Sequence, residues 1–283
     1  MAVALALGAV YLVWGSTYFA IAIGVKEFPP FAMGALRMLA AGVLLYAVLR
    51  WRGVPSPTAG QWRNLAAMGV FMVLLANGLV NLAQTEVSSS LAAIAVASMP
   101  LFVAMFSTVR GRTLGRLEWA GVGLGLGGVL LLNAGSELAG SPLGMVCLII
   151  APLSWAWGSV WSRDQDLPTP FMSAAGQMLC GGLWMGLASL LLGERFVQMP
   201  SATAIAAVVY LALMGSIVGF SAYIWLLHNV RPALATSYAY VNPAIAVLLG
   251  TLLLHERFEA GTVLAMAVIL ASVVLVTRPP RRA

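Results

Sequence analysis

The chain has 283 residues, of which 61% are hydrophobic and 8% charged, and its formal net charge is +6. Soluble domains are about a quarter charged, so this composition excludes a water-soluble globular protein and points to an integral membrane protein. The basic residues are dispersed through short loops, which argues against nucleic acid as a partner. Cys147 and Cys180 both fall inside apolar stretches, where no disulfide framework is indicated.

Ten apolar segments follow one another, at about 3–24, 31–49, 65–84, 88–108, 119–134, 143–162, 171–192, 204–227, 233–254 and 260–277. Crossing a bilayer takes roughly 20 mostly apolar residues, so each reads as a membrane span. The first lacks a basic n-region and runs past signal-peptide length, and it reads as a spanning helix. Helix is expected throughout, because lipid offers no partner to an open backbone and no stretch shows the alternation of a barrel strand. Pro29-Pro30, Pro55, Pro57, Pro142, Pro168, Pro170 and Pro200 fall between segments, where helices stop. Pro100 and Pro243 fall inside the fourth and ninth and should kink them as matched hinges. Pro152 could do the same to the sixth.

The basic residues set an expected orientation. With the N-terminus in the cytoplasm, Arg50, Arg52, Arg63, Arg110, Arg112, Arg116, Arg163, Arg231, Arg278, Arg281 and Arg282 are cytoplasmic. Only Lys26, Arg195 and Arg257 then lie outside, a strong positive-inside bias that puts both termini in the cytoplasm.

The chain also repeats itself. Trp14-Gly15-Ser16 recurs as Trp157-Gly158-Ser159. Pro30-Phe31, Ala35, Met38-Leu39 and Gly42 are answered by Pro170-Phe171, Ala175, Met178-Leu179 and Gly182. Val87, Leu91-Ala92 and Pro100 are answered by Val230, Leu234-Ala235 and Pro243. Two halves, 1–141 and 142–283, of five helices each must enter the membrane in opposite directions, because five is odd. The expected fold is therefore an all-α integral membrane protein of ten transmembrane helices in two inverted five-helix repeats. Inverted repeats mark secondary transporters, whose substrate sites lie near the midplane between the repeats.

Within the segments, Arg37 is the one clear charge. It either binds a carboxylate and guards the outer path, or it snorkels and hydrogen-bonds helix-end carbonyls. Its repeat partner is Gln177. No Asp or Glu occupies the centre of a segment, which disfavours a carboxylate-based antiport of cations; Glu86, Glu137, Glu256 and Glu259 read as peripheral. Tyr11, Trp14 and Tyr18 share a helix face, with Ser154, Trp157 and Trp161 at the corresponding places in the sixth segment. Asn77, Asn81 and Gln84 form an amide stripe that should not face lipid. Tyr223 marks the eighth segment, and Tyr238 and Asn242 share a face just before Pro243. Trp14, Tyr18, Arg37, Asn77, Asn81, Trp157, Gln177, Tyr223, Tyr238 and Asn242 thus make a candidate cavity for a small, neutral or zwitterionic, partly apolar solute. The two tryptophans would be its facing walls. Core packing and interfacial anchoring are the plain alternatives for the aromatics. Gly121, Gly123, Gly125, Gly127 and Gly128 suit close packing in the bundle, or a dimer face. No phosphate loop, metal site or cofactor site is expected.

Trp14-Gly15-Ser16-Thr17-Tyr18-Phe19, Pro30-Phe31 leading to Arg37, and Pro232-Ala233-Leu234-Ala235 leading to Asn242-Pro243 and His255-Glu256 resemble EamA-type members of the drug/metabolite transporter superfamily. The resemblance spans essentially the whole chain and is nearest to bacterial inner-membrane exporters of the YedA and YddG kind, the latter associated with aromatic amino acids. It implies efflux of amino acids or related metabolites through a central cavity between the two halves. Monomer and homodimer both stay open. Small four-helix multidrug relatives carry a buried glutamate in the first helix; this chain has none there, so their drug/proton exchange does not carry over. A membrane-embedded transferase would need paired acids with metal-binding company, and only Asp164 and Asp166 stand close together. A non-transporting receptor would gain nothing from an inverted repeat. A channel-like facilitator of the same fold stays open.

Overall fold

A computed structural model of the chain describes residues 2–111, 114–133, 140–230, 238–256 and 260–277. Pro232-Ala233-Leu234-Ala235, Arg112, Arg231, Arg257, Glu137, Glu259 and the basic tail from Arg278 lie outside these residues. Among the described residues all regular structure is helical. The helices are α1 (Ala2–Gly24), α2 (Pro30–Trp51), α3 (Ala59–Ala83), α4 (Ser89–Val109), α5 (Arg116–Asn133), α6 (Pro142–Trp161), α7 (Pro170–Leu191), α8 (202–229), α9 (Tyr238–Leu254) and α10 (Ala260–Thr277). Seven of them, α1–α4 and α6–α8, are long and apolar enough to cross a membrane, and α9 and α10 supply shorter apolar helices. Large apolar side chains such as Leu5, Leu12, Leu130, Leu190 and Leu191 face outward, as a lipid-facing surface requires.

The punctuation of the sequence explains the helix ends. Thr58 opens α3 with a capping box, its hydroxyl accepting from the Gln61 amide while Gln61 Oε1 accepts from the Thr58 amide. Ser88, Ser141 and Ser201 cap α4, α6 and α8 through their hydroxyls. Proline in the first turn starts α2, α6 and α7. After α2 and α7 the chain turns at Gly53 and Gly193, with φ of 81° and 67°, a conformation that favours glycine.

Two helices widen in the middle. Residues Gly69–Gly78 of α3 and Leu211–Val218 of α8 are π-helical. The looser turn leaves carbonyls free for side chains, and such segments recur at functional sites. α4 breaks at Ala97–Ser98 and restarts at Met99 with Pro100 in its first turn. Pro243 lies inside α9, and Pro152 inside α6.

The packing has a counterpart pattern. α1 packs on α8 and α9, as α6 packs on α3 and α4; α2 packs on α8, as α7 packs on α3. Replacing each helix by the one five places on converts one set into the other. α2 and α7 meet at their glycines. A Cβ on Gly42 would stand 3.0 Å from the Leu179 amide nitrogen, and one on Gly182 would stand 3.0 Å from the Leu39 amide nitrogen. Bare glycine lets the two backbones touch there. α5 packs on α10 through Gly128, while Gly123 and Gly127 face open space.

The connections 25–29, 84–88 and 192–201 and residue Glu256 gather at one end, here termed the far end. Glu27 accepts from Ser201, Glu86 from Ser141, Glu194 from the Phe31 and Ala32 amides, and Glu256 from Ser89 and Ser90. Sequence reasoning left Glu86 and Glu256 as solvated groups. Helix N-termini with unpaired N–H groups and nearby hydroxyls claim them instead. At the near end Asp164 pairs with Arg110, and Asp166 accepts from Gln61 at 3.0 Å.

Candidate transport cavity

A cavity of about 120 Å³ lies among α1, α2, α3, α4, α6, α8 and α9. A single water needs roughly 10–15 Å³ of such space, so the volume fits a small solute rather than a large drug. Its position follows from the two widened helices. Arg37 of α2 enters between them and is buried. Its Nε donates to Ser216 Oγ of α8 at 3.2 Å, and its Nη2 to Asn77 Oδ1 of α3 at a long 3.5 Å. Both acceptors belong to π-helical segments, and both spend their own donors on freed carbonyls. Asn77 Nδ2 donates to Met72 O at 2.8 Å and Ser216 Oγ to Leu211 O at 3.1 Å. The remaining Arg37 nitrogen, Nη1, has no partner among the described residues. Arg37 also lines the cavity, as does Asn242, whose buried Oδ1 lacks a partner too. Two residues that each carry an unpartnered buried polar atom, one of them a cation, therefore line one cavity. Leaving either unpaired is costly.

The rest of the wall is aromatic. Trp14 Nε1 donates to Gly215 O at 3.0 Å, using another carbonyl of the α8 π-segment. Gly219 has no side chain to displace the indole, and a Cβ there would overlap Trp14 Nε1. Around Trp14 stand Tyr238, Tyr223 and Phe220, with ring centroids 4.9, 5.1 and 5.6 Å away. Three of the four contacts among these rings are edge-on, the geometry that aromatic quadrupoles favour, and they hold the wall rigid.

The structure gathers six of the ten sequence-selected residues around this cavity: Trp14, Tyr18, Arg37, Asn77, Tyr238 and Asn242. Tyr223 backs the wall through Trp14 and Tyr238. Asn81, Trp157 and Gln177 do not line it. Asn81 Nδ2 ties α3 to the start of α2 through Pro30 O at 3.2 Å. Gln177 is buried in α7. Trp157 is 37% exposed and rests edge-on against Phe106. The α6 wall is supplied by Trp155, whose ring stands 6.3 Å from Phe220. Two residues along a helix turn a side chain through about 200°, so Trp155 and Trp157 cannot both face inward. Ser216 had no signal in the sequence, because an amphipathic period presumes an α-helix and the π-segment breaks that period.

An aromatic-walled cavity lined by Arg37 and Asn242 thus lies within a bundle of membrane-length helices. The chain belongs to the EamA-like transporter family, whose model matches residues 1–134 and 142–278. It is 46% identical to the inner membrane transporter YedA of Escherichia coli K12 over 273 residues, which cover 96% of this chain and 89% of that protein. Protein PecM of Dickeya dadantii is 26% identical, over 93% of this chain and 88% of its own length. A solved crystal structure superposes with a TM-score of 0.68 at 20% identity, covering 98% of this chain and 97% of its own. At that identity the likeness shows the fold alone.

Proposed function

We propose that the protein exports aromatic or neutral amino acids, or related small metabolites, across the bacterial inner membrane by alternating access. The single observation that carries this reading is the aromatic-walled cavity lined by both Arg37 and Asn242, each of which has a buried polar atom, Nη1 and Oδ1, without a partner among the described residues. An α-amino acid supplies what both atoms lack. Its carboxylate accepts from Arg37, its ammonium donates to Asn242, and an apolar or aromatic side chain packs on Trp14, Tyr238 and Phe220. Phosphorylated sugars fit poorly, since one arginine cannot neutralise them.

In this reading ten helices span the membrane as two inverted repeats, 1–141 and 142–283, with both termini cytoplasmic. Separate matches of the family model to 1–134 and 142–278 support two repeats. So do the reciprocal Gly42–Leu179 and Gly182–Leu39 contacts, which are those expected across a twofold axis. The positive-inside bias supports the orientation. Pro100 and Pro243 serve as the hinges of α4 and α9. Asn81, Gln177 and Trp157 stand outside the present cavity and would meet substrate only in another state of the cycle.

The test is counterflow in proteoliposomes loaded with phenylalanine, leucine, or a panel of neutral metabolites. Saturable counterflow of at least one amino acid is expected. Trp14→Ala should abolish most of it, while Trp157→Ala should leave the larger part. If no amino acid exchanges, or if the two substitutions act equally, the site assignment fails. Flux without counterflow would identify a channel-like facilitator instead.

A further inference from the structure

The helices around the cavity can be divided into two groups that touch through the first half of α4. α8 and α9 pack on α1, and α3 and the second half of α4 pack on α6, while Ser89–Val96 of α4 packs on α1 and α9 as well as on α6. The first group presents Trp14, Phe220 and Tyr238 to the cavity, and the second presents Asn77, Ala97 and Trp155. Any motion that opens the cavity must part these groups. At the far end, three of the carboxylates that hold helix starts lie between helices that are packed together anyway. Glu27 holds α8 from the connection after α1, and Glu86 holds Ser141 of α6 from the connection after α3. Glu194 bridges α7 to α2, which meet backbone to backbone at their glycines. Glu256 follows α9, in the first group, and grips the start of α4, whose first half packs on α1 and α9 as well as on α6, so the two groups meet along this segment.

The grip is made of several bonds. Glu256 Oε1 accepts from the Ser89 amide at 2.8 Å and from Ser89 Oγ at 2.7 Å. Its Oε2 accepts from the Ser90 amide at 3.2 Å and from Ser90 Oγ. Ser90 Oγ also lies 3.3 Å from Ala246 O, so α4 touches the body of α9 as well as its end. The chain is bent to reach. His255 has φ of 56°, the one left-handed non-glycine residue among those described, and this bend turns Glu256 back toward the bundle. Gly250 leaves the space that the carboxylate occupies, since a Cβ there would collide with Glu256 Oε2 and Ser90 Oγ. A bent backbone, an empty glycine position and two adjacent serines all serve one carboxylate.

We infer that Glu256 is the far-side gating residue of the transport cycle: its clasp on Ser89 and Ser90 closes the cavity toward the far end, and each turnover breaks and remakes it. The inference rests on the alternating-access reading but on no particular substrate. Ser89 and Ser90 are its partners, and the pair His255 and Gly250 positions it. The two proline-interrupted helices, α4 and α9, are the elements it joins, so the clasp sits on the parts best able to bend.

The experiment uses a reporter cysteine in the cavity wall, Val80→Cys, with Cys147 and Cys180 replaced by alanine. Full-length protein in right-side-out and inverted membrane vesicles is labelled with a membrane-impermeant maleimide. Glu256→Ala should raise the labelling rate about tenfold or more from one membrane side only, and Glu256→Gln, which loses the charge but keeps one acceptor, should raise it less. Ser89→Ala with Ser90→Ala should act like Glu256→Ala. Unchanged labelling in Glu256→Ala that still elutes as a monodisperse species would overturn the inference, because the clasp would then be only a helix cap. An equal rise from both sides would overturn it too, since that reports a loosened bundle. As a second measurement, Ser89→Cys/Glu256→Cys is bridged with a short bifunctional thiosulfonate. Bridging should suppress labelling and stop turnover, with recovery on reduction, whereas continued turnover in the bridged protein rules the gate out. The labelling readouts need no transported substrate, so they stand even if no amino acid exchanges in proteoliposomes.

Discussion

At the far end of the bundle, Phe28, Val87, Leu91, Ala92, Leu148 and Ala204 belong to one continuous apolar cluster that draws on both halves of the chain. At the near end the buried residues divide. Val10, Met99, Phe102, Leu226 and Tyr238 form one cluster, and Leu65, Met68 and Met72 another. The cavity touches both ends, since Ile21, Ala93 and Ala151 come from the far cluster and Met99 and Tyr238 from a near one. The first cluster also runs on through Leu101, Ala104 and Val122 toward the near end, and Phe31, Ala35 and Met185 belong to a separate cluster between α2 and α7. The polar contacts differ more clearly between the ends. Far-end carboxylates sit on helix N-termini, which favour negative charge. The near-end Arg110–Asp164 pair has side chains 30% and 66% exposed, and exposed pairs contribute only about 0–1 kcal/mol. The two ends thus differ in what holds their helices together.

The largest expected effect is at the boundary between the two ends. Arg37 joins the widened parts of α3 and α8 through Asn77 and Ser216. Arg37→Met keeps the length and apolar stem but removes every donor. Hydrogen bonds to charged groups are worth roughly 1.5–3 kcal/mol, so loss of the carboxylate contact alone should lower apparent affinity in counterflow by about ten- to a hundredfold. Arg37→Lys should recover little of it, because an ammonium cannot reach Ser216, Asn77 and a ligand at once. If Arg37→Met transports normally, the arginine only braces the bundle, and the cavity loses its anchor.

A smaller effect separates tight from open helix contacts. A Cβ on Gly69 of α3 would stand 2.7 Å from the Gly181 amide nitrogen of α7, which is backbone and cannot swing aside. Gly69→Ala should therefore cost about 1–3 kcal/mol through overpacking. Gly127 of α5 has nothing within 4 Å of a built Cβ, so Gly127→Ala should be neutral or raise the melting temperature slightly. Thermal unfolding in detergent reads both. A fall for Gly127→Ala similar to that for Gly69→Ala would show that α5 uses this face for a contact outside the single chain.

These two substitutions also show what was legible beforehand. Composition alone dictates the membrane, and Arg37 stands out because no other charge lies inside an apolar segment. The glycine-rich pattern announces close packing, and Gly42 with Gly182 already appear as a repeated pair. What the sequence does not display is which side of a helix faces inward once the period changes. The π-segments shift the register through α3, so Asn77 reaches the cavity while Asn81, four residues later, is spent on Pro30 O. α6 is subtler: Trp157 carries the repeated motif, yet Trp155 lines the space. Repetition marks shared architecture, and the residues that depart from it shape the cavity. The far-end carboxylates were hidden for a different reason. A glutamate in a loop looks solvated until the helix start that it meets, more than fifty residues away in the chain, is brought beside it.

The smallest effect tests the far end through pH. Glu27 lies in the connection after α1, where the Ser201 amide donates to it at 2.5 Å and the Ser201 hydroxyl at 2.8 Å. These two bonds, the amide first, hold its carboxyl below the usual range. A depressed carboxyl stabilises the fold only while ionised. Its contribution is complete above the ordinary value of about 4.3 and disappears as pH falls through the lower value in the folded protein. Glu27→Gln should therefore lower the melting temperature slightly at pH 7, and the difference should vanish as pH falls through the lowered value, where wild type loses the same interaction. Because the group is exposed, the gap at pH 7 should be small and should shrink further in high salt. A gap that persists at low pH would mean that the side chain acts through its shape rather than its charge, and the far end would then be held by its apolar layer alone.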